Sequence, residues 1–236
     1  MNLLVVDWDF FFPIDEVAMD WGHREAPIFL DMVWGSRAAY FVLKDEPLPG
    51  TSGEERTFWS RVKLTRSAVV HYAESNVQAL SLALSRRVRR GDAVYLFDAH
   101  HDTGYGRMKP GEFTCENWMI PYITKGCDVR MIYPAWKWPV ALDLEPEPML
   151  PLDRSGDTGA VPPVTFGAVF VCRSGAWVPP WLDDAFMAFL TASGKKVAPI
   201  GGGLYSREWG ESHIQAARQD AAIMGKFQQE ARRNRT

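Results

Sequence analysis

"VYLFDAHHDTGYG", Val94 to Gly106, decides how this chain is read. Four apolar residues, Val94 to Phe97, run straight into Asp98, and two aspartates and two histidines then fill four of the positions from 98 to 102. A short apolar run that ends in polar residues reads as a buried strand. In an open parallel sheet, ligands bind at the carboxyl ends of the strands. Residues two apart on an extended chain point the same way, roughly 6.5–7 Å apart. Asp98, His100 and Asp102 are therefore expected to converge, while His101 points elsewhere. Carboxylates with an imidazole suit a divalent ion such as manganese or zinc. The competing reading is an aspartate capping a helix beside surface histidines.

The first residues repeat the pattern. "LLVVDWDFFFP" ends an apolar run with Asp7 and Asp9, again two apart. Burying either carboxylate without a partner costs several kcal/mol, and a shared cation removes that penalty for both. Without a cation, one aspartate would bond to a loop and the other would be solvated. One metal centre explains both strand ends at once.

Short apolar runs alternate with helical patterns along the chain, as in a mostly parallel α/β sheet of about six or more strands with helices on both faces. Strands are expected near Leu3–Asp7, Ser67–His71, Ala93–Asp98, Asp128–Tyr133, Thr165–Cys172 and Lys196–Ile200. The clearest helical spacing is "SNVQALSLALSRRVRR", residues 75–90, with Ser75 or Asn76 as its cap. A second helix is expected from Glu116 or Asn117 to Lys125, stopped by Gly126. A third opens at Pro179-Pro180 and ends at Gly194, with Asp183 and Asp184 in its first turn. The last, amphipathic, starts near Glu211. Two stretches read as irregular, Phe10 to Gly53 and Pro134 to Pro163, and both are longer than an ordinary connection. The tryptophans Trp136 and Trp138, among prolines, suit a pocket rim.

At 236 residues a single domain, 1–236, is expected. A net charge of -3 offers no electrostatic case for nucleic acid, apart from a locally basic tail. Nothing approaches the roughly 20 apolar residues of a membrane span, and the start lacks the features of a signal peptide. Three scattered cysteines, Cys115, Cys127 and Cys172, make neither a disulfide framework nor a structural zinc site. A soluble cytoplasmic protein, free of membrane and nucleic-acid partners and able to form a homo-oligomer, is the expectation.

"DAHHD" resembles the Asp-Ala-His-x-Asp element of the arginase and deacetylase superfamily. "VVDWDFFFP" is similar to its Ser-x-Asp-x-Asp-x-x-Asp-Pro element, with Asp7, Asp9 and Pro13 in register and Val5 and Phe12 in place of the Ser and the last Asp. "CENWMIPYITKGCDVRMIYPAWKWP" looks like an uncharacterised arginase-like family. The resemblance implies a three-layer α/β fold with one or two ions, Mn2+ or Zn2+, activating water to hydrolyse a carbon–nitrogen bond in an acylated or guanidino substrate. It makes Asp7 and Asp98 the bridging or principal ligands and adds Asp9, His100 and Asp102. The superfamily's Asp-x-Asp strand follows Asp-Ala-His-x-Asp, so here the resemblance implies a permuted order. Its further histidine ligand has His71 or Glu74 as counterpart. The stretch "CENWM" keeps Asn117 but lacks the superfamily's catalytic-loop histidine.

Such chemistry needs a base within a hydrogen bond of the attacking water, and His101, Glu74 and Glu116 are the candidates. Asn117, Trp118, Arg173 and Ser174 are candidates for holding substrate. Two other readings compete. "LLVVDWD" also looks like the opening of haloacid-dehalogenase-type phosphatases, with Asp7 as nucleophile, Asp9 as acid/base and "LDDAF" as a late acidic pair. The chain could instead be a non-catalytic binding protein on the same fold.

Overall fold

The computed structural model describes residues 1–13, 27–105 and 111–233. Seven parallel strands form one sheet among them: β1 (Leu3–Asp7), β2 (Val69–Ala73), β3 (Ala93–Phe97), β4 (Asp128–Tyr133), β5 (Asp153–Gly156), β6 (Ala168–Cys172) and β7 (Lys196–Pro199). Their order is β5-β4-β3-β1-β6-β2-β7. The three central strands, LLVVD, AVYLF and AVFVC, are buried along their whole length. That is why they are continuous apolar runs rather than alternating ones: a central strand of a parallel sheet is covered on both faces.

Helical segments cover each face. Leu3, Val5, Val94, Leu96 and Phe170 pack against Ala79, Leu84, Trp118 and Tyr122. On the other face Leu4, Val6, Phe97 and Val171 pack against Trp8, Phe11, Phe58, Phe186 and Phe189. The longer helices are α1 (Pro27–Leu43), α2 (Ile120–Lys125), α3 (Asp183–Ala192) and α4 (Glu211–Arg233). α1 and α4 pack on each other through Ala38, Ala39, Ala217 and Ala221. No helix among the described residues is long and apolar enough to cross a membrane.

Six expected strands are present, and β5, "DRSG", is additional; four residues without an apolar pattern carry no strand signal. α1 falls inside a stretch expected to be irregular. "PIFLDMVWGSRAAYFVL" is apolar on nearly every side, so it has no one-faced periodicity to detect. The expected helix over 75–90 is instead a 3-10 turn, Asn76–Leu80, and one α turn, Leu82–Ser85, broken where Ser81 adopts extended backbone (φ -51°, ψ 149°). Tertiary contacts take the carbonyls a continuous helix would use. Tyr122 Oη donates to Ala79 O at 2.6 Å, and Lys125 Nζ donates to Ser85 O and Val88 O.

The strand order reverses at the centre of the sheet. From β3 the chain steps outward to β4 and β5, whereas β6, β2 and β7 lie on the far side of β1. The crevice outside the carboxyl ends of β1 and β3 is such a switch point, where open α/β sheets bind ligands.

Candidate metal centre

β1 and β3 pair in parallel with Val6 opposite Phe97, so Asp7 and Asp98 follow side by side at the carboxyl edge. Asp7 begins a 3-10 turn, Trp8–Phe11, and its Oδ1 accepts from Asp9 N at 3.2 Å. That turn swings Asp9 toward the loop after β3. Asp9 Oδ1 accepts from Ala99 N at 3.2 Å, and Oδ2 lies 3.0 Å from His100 Nδ1. Asp98 Oδ1 accepts from His100 N at 2.8 Å. The His100 ring packs on Trp177, centroids 4.5 Å apart.

Among the described residues, two groups of possible ligand atoms each fall within 4.8 Å of one another: Asp9, Asp98 and His100, and Asp7, Asp98 and Asp102. Asp98 belongs to both. Of the expected trio, Asp98 meets His100 in one group and Asp102 in the other, and extended spacing is not what brings them there. The chain bends after Asp98, and Asp102 sits in left-handed backbone (φ 47°), which aspartate tolerates better than most residues.

All four aspartates are buried, Asp98 completely. Burial foremost, then the charges of Asp9 and Asp102, holds the Asp7 carboxyl well above its usual range. Asp98 is raised in the same way, by burial and then by Asp9, Asp7 and Asp102. Asp102 is pushed up to about 8, again chiefly by burial. Asp9 alone falls below its ordinary value: burial pushes it up, but the hydrogen bond and charge of His100 outweigh that. His100 is raised in return, Asp9 overcoming burial and the charge of Lys137. A cluster with several carboxyls held in their neutral form lacks positive charge, and a divalent cation would supply it. Oxygen donors with one imidazole suit manganese or zinc, so the residues present fit such an ion.

Asn76, a helix-cap candidate by sequence, lies among three of the four aspartates. Its Nδ2 is 2.6 Å from Asp7 Oδ2, 2.9 Å from Asp102 Oδ2 and 3.2 Å from Asp98 Oδ2. Trp118 Nε1 donates to Asp102 Oδ2 at 2.7 Å, so Trp118 supports an acidic side chain. Ser174, in left-handed backbone (φ 54°), bears on Asp7, whose carboxyl pKa its side chain lowers against the effect of burial. A buried ion pair, Lys137 with Glu145 at 3.0 Å, also bears on Asp9 and His100 through the charge of Lys137. Nothing in the linear spacing of Asn76 or Lys137 announces these positions.

Other candidates have different surroundings. Glu74 is ion-paired with Arg173 and accepts from Gly175 N and Tyr205 N. A side chain on Gly175 would collide with the Glu74 carboxylate. Arg173 also donates to Asp183 Oδ2 and Tyr205 O, and Asp183 takes Arg207 as well. His71 lies within β2 and belongs to neither ligand group. His101 Nε2 faces Pro146 O at 2.9 Å while its Nδ1 takes the Thr103 N–H, so the ring is the neutral Nε2–H tautomer with both nitrogens occupied. Glu116 is exposed. Asn117 Oδ1 accepts from Thr114 N and its Nδ2 donates to Glu112 O, within its own loop.

No protein-family model, curated protein or solved structure matches the chain.

Proposed function

We propose that this protein is a metal-dependent hydrolase of a carbon–nitrogen bond, of the arginase and deacetylase type, acting on a small acylated or guanidino molecule. One observation carries the reading: Asp98, fully buried at a strand end, belongs to two ligand groups that draw on β1 and on the loop after β3. Bound there, Mn2+ or Zn2+ would act as a Lewis acid and lower the pKa of water toward neutrality. The protein's part is to fix the ligands. Asp9 and Trp177 orient the His100 ring, while Trp118 and Asn76 hold Asp102. His101 and Glu74 are committed to other partners. Proton acceptance then falls to whichever carboxylates of the cluster do not hold the ion. Three free thiols are in keeping with a reducing, cytoplasmic setting.

Against the phosphatase reading, Asp183 of its late acidic pair is engaged by Arg173 and Arg207. The test loads the chain with Mn2+ or Zn2+, removes excess by dialysis and measures bound metal beside hydrolysis of amide, ureide and guanidino panels and of an aryl phosphate. Bound metal, lost in Asp98→Asn, together with C–N hydrolysis is the expected result. Aryl phosphate turnover, or unchanged metal in Asp98→Asn, would overturn the proposal. Metal without turnover would leave a binding protein.

A further inference from the structure

Asn76 stands just past the carboxyl end of β2, opens the 3-10 turn Asn76–Leu80 and is 2% exposed. Its Nδ2 touches Asp7, Asp98 and Asp102, the same three residues that form one of the two ligand groups. An atom in reach of three mutually close acceptors lies in the space between them. An ion bound by those oxygens, at about 2.0–2.6 Å from each, would need that space. The amide has two protons for three carboxylates. Its Oδ1 is buried and receives no hydrogen bond, so the side chain leaves its acceptor unsatisfied while its donor sits among the acids. The other group is different. His100 is itself one of its three ligands, and Asn76 Nδ2 does not touch Asp9 or His100.

We infer that the centre holds one divalent cation, between Asp9, Asp98 and His100, and that the Asn76 amide takes the place of a second ion between Asp7, Asp98 and Asp102. This rests on the metal reading above. It makes Asn76 the residue that sets the number of ions: a neutral two-proton donor sits where a dinuclear centre would carry a dication, and Asp98 spans an ion and an amide. The ions of two-metal sites lie about 3.5–4 Å apart, and the amide keeps the neighbouring position closed.

The full chain is loaded with Mn2+, dialysed, and compared with Asn76→Asp and Asn76→Ala by elemental analysis, electron paramagnetic resonance and thermal melting. Asn76→Asp keeps the side-chain shape and removes the donor protons; Asn76→Ala removes the amide and guards against a variant that fails to fold. One manganese per chain with a single-ion spectrum is expected for the unaltered protein. Two per chain with an exchange-coupled spectrum is expected for a folded variant. Adding His100→Ala to Asn76→Asp should leave one. Two ions in the unaltered protein, or one in every folded variant, overturns the inference alone. No ion in any of them overturns the metal reading itself, and this inference with it.

Discussion

Arg173 joins three chain segments with one guanidinium: Glu74 after β2, Asp183 at the start of α3 and the Tyr205 carbonyl. Replacing it with Met leaves the buried Glu74 carboxylate without its countercharge, at about 3–5 kcal/mol. Urea unfolding of Arg173→Met should show that loss, and a change under 1 kcal/mol would mean Glu74 finds another donor. His71 gives a test in pH. Burial foremost, then the charge of Arg87, lowers its pKa in the fold, and Nδ1 is buried without a partner. The group is at no disadvantage while neutral, above its unfolded value of about 6.5, and destabilises as pH falls through the lowered folded value. The melting temperature of wild type should therefore drop relative to His71→Leu between pH 7.5 and 5.5. Parallel curves would show that His71 does not titrate with unfolding.

α2 ends as its composition demands, with Gly126 in left-handed backbone (φ 79°) and its N–H bonded to the carbonyls of Tyr122 and Ile123. Gly126→Ala puts a Cβ where only glycine is unstrained and against Arg90 Cγ at 3.3 Å. A loss of roughly 1–2 kcal/mol is expected in chemical denaturation. An unchanged midpoint would mean the turn relaxes. Elements whose pattern is local were legible in the chain: β1, β3, β4, β6 and the Gly126 stop. Those shaped by distant contacts were not. α1 lacks a polar face because Trp34 and Ala38 are covered by Phe12, Trp181 and α4, and the 75–90 pattern breaks because Tyr122 and Lys125 claim its carbonyls.

Folding places four carboxylates in one buried site, so stability of the whole protein is expected to depend on pH and, under the proposed metal reading, on metal as well. Asp102, raised to about 8 by burial, favours its neutral form in the fold. Its contribution is complete below the unfolded value of about 3.9 and is lost as pH rises through about 8. The metal-free protein should accordingly lose stability toward alkaline pH at this site. Mn2+ held next to Asp102 should offset that loss, more at pH 8 than at pH 6, because the ion favours the charged carboxylates over their protonated forms. At a concentration 100 times its dissociation constant an ion adds about 2.7 kcal/mol, or roughly 5–10 °C in melting temperature for a chain of this size. Equal shifts at both pH values, or none, would show that the acidic cluster does not exchange protons for metal.

Residue order alone placed Asp7 and Asp98 at the ends of two apolar strands and marked the sheet as parallel, because a strand buried on both faces must be apolar throughout. It could not set those strands side by side, since pairing β1 with β3 across some ninety residues depends on how the whole sheet is ordered. Nor could it bring Asn76 among the acids or give His101 to Pro146, because those contacts join segments that meet only after the sheet has closed.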